Sequence, residues 1–287
     1  MSQRYVVEPP AQPSLPDVGS THLFSIRRIY CVGRNYVAHA HEMGGDPERE
    51  PPFFFSKPAD AVVPQGGEVP YPPKTSSLHF ELELVVAIGK GGADIPLEQA
   101  LDHVYGYALG IDLTRRDLQN EAKQMRRPWD MSKGFDWSAP CTAIHPAAEI
   151  GHPESARISL AVDGEIKQDS DIALMIWKTH EIVSYLSGLV RLEPGDLIMT
   201  GTPEGVGPVK RGQTMERPHG LILLLISGYA SACGAGRWWR CTKRALWCSR
   251  MSRARSSAVL SPQATQSSTA PCSSALAKAS LSGVAST

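Results

Sequence analysis

The alternation of apolar and polar residues is clearest at residues 79–89, where it predicts a β-strand. Successive side chains of a strand point to opposite faces of a sheet. Glu81 and Glu83 therefore share one face, whereas Leu82 and Leu84 point to the other face and into a core. This strand thus carries two carboxylates on one side of a sheet whose other side is buried.

Other patterns predict the remaining elements. Apolar runs predict strands at residues 28–33, 52–58, 105–113 and 197–199, and Asp163-Gly164 predicts a hairpin turn within residues 160–167. Helices are predicted at residues 96–104, at residues 115–123 with Thr114 as N-cap, and at residues 172–186 with Leu174, Trp177, Ile182, Tyr185 and Leu186 in the core. Residues 1–25 are rich in proline and lack periodicity, which predicts an N-terminal arm.

The carboxylates on the first strand have a candidate partner. Asp112 lies near the end of the strand predicted at residues 105–113. Burying two adjacent carboxylates is costly, and a divalent cation removes that cost. A site of three carboxylates suits Mg²⁺ or Mn²⁺ better than Zn²⁺. The alternative is a solvated strand face, which a Glu-x-Glu pair alone indicates more often than a metal site.

Two histidines and a glutamate follow the strand at residues 28–33. His39 and Glu42 are three positions apart, so their side chains can meet on a helical turn. Such a pair is suited to general-base catalysis, in which an oriented imidazole deprotonates a water molecule. The alternative is a solvated helix end before Gly44. His41 points elsewhere on the turn and receives no role.

Two lysines stand where an anionic substrate could meet them. Lys57 ends an apolar strand, where it could also extend to the surface, and Lys133 lies in a basic and aromatic loop at residues 126–136. The acidic body of the chain argues against nucleic-acid binding by this loop. The glycine-rich turn at residues 200–207 could present backbone N–H groups to a carboxylate, but it lacks the Lys-Ser/Thr pair of a phosphate-binding loop.

Charge divides the chain into two parts. All 29 acidic residues lie at or before Glu216, together with 20 of the 29 lysines and arginines, so the first 216 residues carry −9 and the last 71 carry +9. The longest aliphatic run, residues 221–226, is too short to span a bilayer, and the start has no secretory pattern. The six cysteines form no Cys-x-x-Cys pair, so we expect a reducing, cytoplasmic location and no membrane association.

Six motifs in sequence order resemble the fumarylacetoacetate hydrolase family, and within it most closely the fumarylpyruvate hydrolases of gentisate breakdown. They cover residues 25–215, and although each is weak alone, their ordered combination is specific. The motifs are Gly33-Arg34-Asn35-Tyr36-x-x-His39-x-x-Glu42, Phe55-Ser56-Lys57-Pro58, Glu81-x-Glu83, Gly110-Ile111-Asp112 with Arg116-Asp117-Leu118-Gln119, Lys133-Gly134-Phe135-Asp136, and Thr200-Gly201-Thr202-Pro203-x-Gly205-Val206-Gly207.

The resemblance implies an α+β fold for residues 26–216. This is a mixed β-roll of the family's C-terminal-domain type with short peripheral helices, assembled as a homodimer. It implies Mg²⁺ or Mn²⁺ held by Glu81, Glu83 and Asp112, and a water molecule activated by His39 and Glu42. It places six further residues around an anionic small-molecule substrate: Tyr36, Lys57, Arg116, Gln119, Lys133 and Thr202. Lys133 or Lys57 would stabilise the oxyanion.

The reaction implied by the resemblance is metal-dependent hydrolysis of a carbon–carbon bond in an acylpyruvate. The expected substrate is fumarylpyruvate, which gives fumarate and pyruvate in aromatic catabolism. An alternative within the family is a decarboxylase or isomerase of the oxaloacetate type, which needs no activated water. A further alternative is an inactive product of a shifted reading frame.

Residues 217–287 do not match the family pattern. They contain no acidic residue and end in a segment rich in serine and alanine. We interpret them as translation in a shifted reading frame in preference to a divergent basic tail, and we predict that residues 230–287 are disordered. The family's last strand would be missing, which would expose a sheet edge. One hypothesis is that residues 220–226 take its place.

Overall fold

Strands make up most of the regular structure in the computed structural model, which describes residues 4–42, 50–216 and 237–242. In chain order they are β1 (Ser14–Pro16), β2 (Leu23–Ser25), β3 (Arg28–Gly33), β4 (Phe53–Lys57), β5 (Val62–Pro64), β6 (Glu68–Pro70), β7 (Leu78–Phe80), β8 (Leu82–Ile88), β9 (Val104–Ile111), β10 (Thr114–Arg115), β11 (Ala139–Cys141), β12 (His145–Pro146), β13 (Arg157–Val162), β14 (Glu165–Asp171), β15 (Asp196–Met199), β16 (Gly207–Pro208), β17 (Thr214–Glu216) and β18 (Arg237–Thr242). The helices are α1 (Val37–Glu42), α2 (Arg116–Gln124), α3 (Asp130–Lys133), α4 (Ala147–Ile150) and α5 (Thr179–Leu189), with 3₁₀ turns at Ala59–Ala61, Leu97–His103 and Ile172–Leu174.

The largest sheet is mixed and buried on both faces. Its order is β4-β3-β15-β8-β9-β11-β5, with β12 also paired to β9. The pair β15–β3 is parallel, and β15–β8 and β8–β9 are antiparallel. Along β3, Ile29 and Cys31 enter one apolar cluster, while Tyr30 and Val32 enter the other. Burial on both faces explains why β3 has a continuous apolar sequence.

A second sheet has the order β14-β13-β17-β18-β6. Its hairpin β13–β14 turns at Asp163 and Gly164, which have φ values of 51° and 84°. Positive φ at both positions is the requirement of a type I′ turn, as the Asp-Gly pair predicted. A three-stranded sheet, β10-β7-β16, and the small pair β1-β2 complete the strand pairing.

The strand β18 corrects the expectation that no regular structure follows residue 229. It pairs antiparallel with β17 and parallel with β6. Trp239 is 1% exposed, and its indole N–H lies 3.2 Å from the carbonyl of Val63 and 3.1 Å from that of Pro64. The hypothesis that residues 220–226 take the place of the family's last strand stays a prediction, because those residues lie outside the described part of the chain.

Three further expectations change in the structure. The helix predicted at residues 172–186 divides into the 3₁₀ turn Ile172–Leu174 and α5. Within it, Ile182 and Leu186 are buried as predicted, but Leu174 and Tyr185 are exposed. Thr114 is not the N-cap of α2, because it lies in β10 and its hydroxyl donates to the carbonyl of Asp112 at 3.1 Å.

The N-terminal segment carries more structure than an arm without periodicity would. Its strands β1 and β2 pair antiparallel, and Leu15 is fully buried in one of the two apolar clusters. Among the described residues, the longest helices fall well short of the length and apolarity needed to cross a membrane.

Replacing Trp239 with alanine tests whether β18 belongs to the folded domain. We expect a loss of about 3–5 kcal/mol in the free energy of unfolding, the usual cost of deleting a buried tryptophan. Urea denaturation of the full chain measures it, with Trp137→Ala as control because Trp137 is 41% exposed. A loss below about 1 kcal/mol, typical of surface sites, would show that β18 contributes little to the fold.

Candidate metal centre and active site

Three carboxylates converge where β8 begins and β9 ends. The two strands run antiparallel with Glu83 opposite Gly110, and the backbone N–H of Asp112 donates to the carbonyl of Glu81 at 2.8 Å. One oxygen from each of Glu81, Glu83 and Asp112 lies within 4.8 Å of the others, and all three residues are buried. We call these three residues the acidic cluster. The two glutamates converge as expected, but the strand predicted at residues 79–89 is interrupted at Glu81, which lies between β7 and β8.

Three buried cationic side chains surround the acidic cluster. Lys133 Nζ lies 2.7 Å from Glu81 Oε2 and 2.5 Å from Asp112 Oδ2. Lys57 Nζ lies 2.8 Å from Asp112 Oδ1, and Arg116 forms an ion pair with Glu81 Oε1. Glu81 and Asp112 are therefore matched by positive charge on both of their oxygens.

Glu83 differs from its two neighbours. Its Oε2 accepts a hydrogen bond from the backbone N–H of Gly201 at 2.8 Å, and no ion pair joins it among the described residues. Burial, followed by the charges of Asp112 and Glu81, raises its pKa well above the usual value. Burial alone would also raise the pKa of Glu81, but the charges of Lys133 and Arg116 hold it well below its usual range.

The acidic cluster fits a hard divalent cation. Its donors are all carboxylate oxygens, which is the ligand chemistry of Mg²⁺ and Mn²⁺. Glu83 is the group with an unmet requirement, because a buried carboxylate without a cationic partner is strongly disfavoured. The space between the walls of the cavity beside the cluster, which includes open solvent, is about 410 Å³.

One cavity gathers most of the residues expected at the site. Its walls contain His39, Glu81, Glu83, Asp112, Arg116, Gln119, Lys133 and Thr202, together with Val32, Gly33, Arg34, Phe53, Phe55, Lys123 and Trp129. Two predicted substrate-binding residues lie outside these walls. Lys57 is buried behind the cluster, where Nζ donates to the carbonyls of Leu113 and Lys133 at 3.1 and 2.5 Å. Tyr36 is also buried, and burial raises the pKa of its phenol.

The proposed general base reaches the cavity from α1. His39 is 7% exposed and lies on the helix that follows β3. His39 and Glu81 line the same cavity, and a protonated His39 there would contribute to lowering the pKa of Glu81. Glu42 ends α1, and its side chain lies outside the described part of the chain. The contact expected between His39 and Glu42 therefore stays a prediction.

The glycine-rich turn after β15 supports the cluster. The carboxylate that meets its backbone N–H is that of Glu83. Gly201 has φ of 95°, and a Cβ there would lie 2.7 Å from the Cβ of Asn35, so a side chain would prevent this approach. Sequence analysis predicted that the turn could bind a carboxylate but did not identify which one.

Two buried amides were missed by sequence analysis. Gln168 accepts from the backbone N–H of Leu82 at 2.9 Å and donates to the hydroxyl of Thr202 at 2.8 Å. Asn35 donates to the carbonyls of Thr200 and Trp177 at 2.8 and 2.9 Å, which joins β3, β15 and the chain before α5. Asn35 stood within a recognised motif, whereas nothing in the sequence near Gln168 marked it.

Comparison with known proteins gives a family match over most of the described residues. The sequence model of the family described as fumarylacetoacetate (FAA) hydrolase C-terminal matches residues 28–224. The mitochondrial oxaloacetate decarboxylase of Dictyostelium discoideum is 44% identical over 191 residues, which are 66% of this chain and 87% of that protein. The mitochondrial oxaloacetate tautomerase FAHD1 of Homo sapiens is 43% identical over 197 residues, 68% of this chain and 89% of that protein.

A solved structure is similar over a longer stretch. Fumarylpyruvate hydrolase from Pseudomonas aeruginosa, in complex with Mn²⁺ and pyruvate, has 54% sequence identity and a TM-score of 0.76. The match covers 83% of this chain and 99% of that one. The fold predicted from the motifs is confirmed for the part of the chain that carries them.

Proposed function

Because the chain belongs to the fumarylacetoacetate hydrolase family, we propose that it is a metal-dependent acylpyruvate hydrolase that converts fumarylpyruvate and water to fumarate and pyruvate. The observation that carries this proposal is the convergence of the acidic cluster, His39 and Lys133 at one cavity. The 54% identity to a fumarylpyruvate hydrolase solved with Mn²⁺ and pyruvate supports both the substrate and the cation.

Glu81, Glu83 and Asp112 hold Mg²⁺ or Mn²⁺ in this proposal. When bound, the cation supplies positive charge that stabilises negative charge on the pyruvate half of the substrate as the carbon–carbon bond breaks. The backbone N–H of Gly201 orients Glu83 for this role, and Lys57 orients Asp112 from behind. Lys57 ends β4 and Gly201 lies two residues after β15, so both contacts are anchored by strands of the main sheet, which favours precise placement of the ligands.

His39 is the general base in this proposal. It accepts a proton from a water molecule, and Glu42, three residues later on α1, orients the imidazole. The water oxygen bonds to the carbonyl carbon of the acyl group. The bond from that carbon to the neighbouring methylene carbon then breaks, and the methylene carbon keeps the electron pair until a proton returns to it. Fumarate and pyruvate leave, and water is the only co-reactant.

Lys133 rather than Lys57 stabilises the oxyanion of the attacked carbonyl. Lys133 contributes to the wall of the cavity, whereas Lys57 Nζ is enclosed by Asp112 and two backbone carbonyls. Burial tends to lower the pKa of Lys133, but Asp112 and Glu81 raise it above its usual value. The ammonium thus stays charged at neutral pH, as stabilisation of an oxyanion requires.

Four polar side chains complete the substrate site. Arg116 donates to Gln119 Oε1 at 2.5 Å, so the two present one polar surface to the cavity. The oxygen of Thr202 accepts from Gln168, which leaves the hydroxyl hydrogen available for a substrate oxygen. Tyr36, the fourth, lies outside the cavity walls; its buried hydroxyl has no hydrogen-bond partner among the described residues, and a contact with substrate is proposed for it only from the family motif.

A second candidate function is decarboxylation or tautomerisation of oxaloacetate. The identities of 44% and 43% to a curated decarboxylase and a curated tautomerase favour it. The buried position of His39 at the cavity favours hydrolysis, because decarboxylation of a 2-oxo acid needs no activated water.

Product analysis with two substrates separates these candidates. The purified full chain with Mn²⁺ is given fumarylpyruvate or oxaloacetate, and products are identified by NMR. We expect fumarate and pyruvate, with kcat/KM at least roughly 100-fold above that for any reaction of oxaloacetate, because a site that binds a substrate's polar groups rejects analogues lacking them by more than this factor. Faster release of CO₂ from oxaloacetate than of fumarate from fumarylpyruvate would favour the second candidate.

The proposal extends to the metabolic role, the oligomeric state and the cellular compartment of the protein. We place it in aromatic catabolism, as a homodimer in the cytoplasm. Cys31, Cys141 and Cys241 are buried and free, which supports a reducing compartment. Burial raises the pKa of Cys31 well above its usual value, that of Cys141 to about 12 and that of Cys241 to about 11, so these thiols are unreactive at neutral pH.

A further inference from the structure

Two cations in the cavity wall have no role in the reaction described above. Arg34 directly follows β3, and Lys123 lies in the last turn of α2. The cations around the acidic cluster all bind carboxylates. In contrast, neither Arg34 nor Lys123 forms an ion pair within the described part of the chain.

An aromatic wall holds these two cations beside each other. Lys123 Nζ is 5.3 Å from the ring centroid of Trp129, and Arg34 Cζ is 5.9 Å from that of Phe53. The two rings meet edge to face with centroids 5.5 Å apart. Cations over adjoining aromatic faces are attracted to the rings but repel each other. An anion between them would relieve the repulsion.

The backbone at Arg34, which follows Gly33, has an unusual conformation that places Arg34 beside the ring of Phe53. Arg34 has φ of 55°, a left-handed conformation that costs a residue with a side chain on the order of 1 kcal/mol or more. A Cβ at Gly33 would lie 2.0 Å from the ring of Phe53, so only glycine allows that ring to lie against the chain beside Arg34. Strain retained at a cavity wall points to a function for the strained residue.

The charges around the cavity favour a substrate that carries a second negative charge. The three negative charges of the acidic cluster are equal in number to the positive charges of Lys57, Lys133 and Arg116, although none of these cations pairs with Glu83, so a bound divalent cation adds two positive charges. The carboxylate of the pyruvate half offsets one of them. Arg34 and Lys123 then add two more, which makes the cavity selective for a substrate with a further negative charge.

We infer that Arg34 and Lys123 bind the carboxylate at the far end of the acyl group and so select acylpyruvates with a terminal carboxylate. This inference rests on the proposed function and names the substrate class of that site. The faces of Phe53 and Trp129 suit the planar, conjugated chain that joins the two ends of fumarylpyruvate.

Substrates with and without the terminal carboxylate test the inference. Kinetics are measured with fumarylpyruvate and with acetylpyruvate, which ends in a methyl group, for the Mn²⁺-loaded full chain. For Lys123→Met and Arg34→Met we expect kcat/KM with fumarylpyruvate to fall about 10- to 100-fold, mainly through KM, as for loss of a hydrogen bond to a charged group. The loss with acetylpyruvate is expected to be roughly tenfold smaller, and Lys123→Arg should recover most of the activity.

The exposed Lys90 provides a matched control, and Lys90→Met is expected to behave as wild type with both substrates. Equal losses with the two substrates in Lys123→Met would overturn the inference. Hydrolysis of neither substrate by the wild type would overturn the proposed function instead. Calorimetry then tests the carboxylate subsite without relying on hydrolysis. We expect the protein to bind fumarate more tightly than crotonate, which has only one carboxylate. Equal binding of the two would overturn the inference.

Discussion

Replacing Glu83 with glutamine is expected to abolish binding of the divalent cation and hydrolysis of fumarylpyruvate together, and to stabilise the protein in the absence of metal. The first two effects follow because Glu83 is one of the three proposed ligands. The third follows because Glu83, unlike Glu81, has no cationic partner among the described residues, so its charge is costly in the metal-free fold. Metal content by mass spectrometry and urea denaturation with chelator measure these effects.

The matched control is Glu81→Gln. It also removes a ligand, but it leaves Arg116 without its carboxylate partner and leaves Lys133 with Asp112 alone. We expect a loss of about 3–5 kcal/mol in the free energy of unfolding, as for breaking a buried ion pair from one side. Opposite changes in metal-free stability for the two variants are the specific result. Wild-type metal content in Glu83→Gln would remove the ligand assignment.

The pH dependence of this difference has a definite sign. The pKa of Glu83 is raised in the folded protein, so the unfolded chain loses its proton first as pH rises. Metal-free wild type therefore loses stability from about pH 4, the ordinary glutamate pKa, up to the raised pKa of Glu83. The advantage of Glu83→Gln should be larger at pH 7 than at pH 5. An advantage that shrinks with rising pH would contradict the assignment.

Replacing His39 with alanine is expected to leave cation binding intact while hydrolysis falls about 10²- to 10⁴-fold, the usual contribution of a general base. The cation is expected to stay because its proposed ligands belong to the acidic cluster and not to α1. Turnover and Mn²⁺ content are measured on the same samples, with exposed His22→Ala as control. Near-normal turnover in His39→Ala would remove the water-activating role.

The acidic cluster could be predicted from the sequence more accurately than the helix bounds outside the site. Period-two alternation placed Glu81 and Glu83 on one face, and the run ending at Asp112 placed the third carboxylate at the same sheet edge. Both follow from the local geometry of strands, which the order of side chains determines. The same locality explains why the helix predicted at residues 172–186 was only partly right: apolar spacing does not reveal where the chain interrupts a helix to bind Asn35.

Long-range contacts account for what was missed. Gln168 is 86 residues from Leu82 in sequence, and the two meet only because the second sheet packs on the first. Trp239 belongs to a segment with no family pattern, and its burial depends on two strands far away in the chain. The surroundings of Lys57 could not be predicted either. A lysine buried against backbone carbonyls and a lysine that binds substrate occur in the same sequence pattern.

The origin of residues 217–287 in a shifted reading frame stays a prediction. The structure describes β18 within this segment, and β18 supplies an interior strand of the second sheet. The folded domain thus includes a strand from beyond the last familiar motif, and the effect of Trp239→Ala measures how much that strand contributes.

Isotope tracing of the water oxygen tests whether the protein hydrolyses the carbon–carbon bond of fumarylpyruvate with the help of the cation. The purified full chain is given fumarylpyruvate in ¹⁸O-labelled water, once with Mn²⁺ and once after chelation, and the products are analysed by mass spectrometry. We expect pyruvate and fumarate to form only in the presence of the cation, and the new carboxylate of fumarate to carry one ¹⁸O. Unlabelled products, equal turnover after chelation, or unchanged substrate with a folded, Mn²⁺-loaded protein would contradict it.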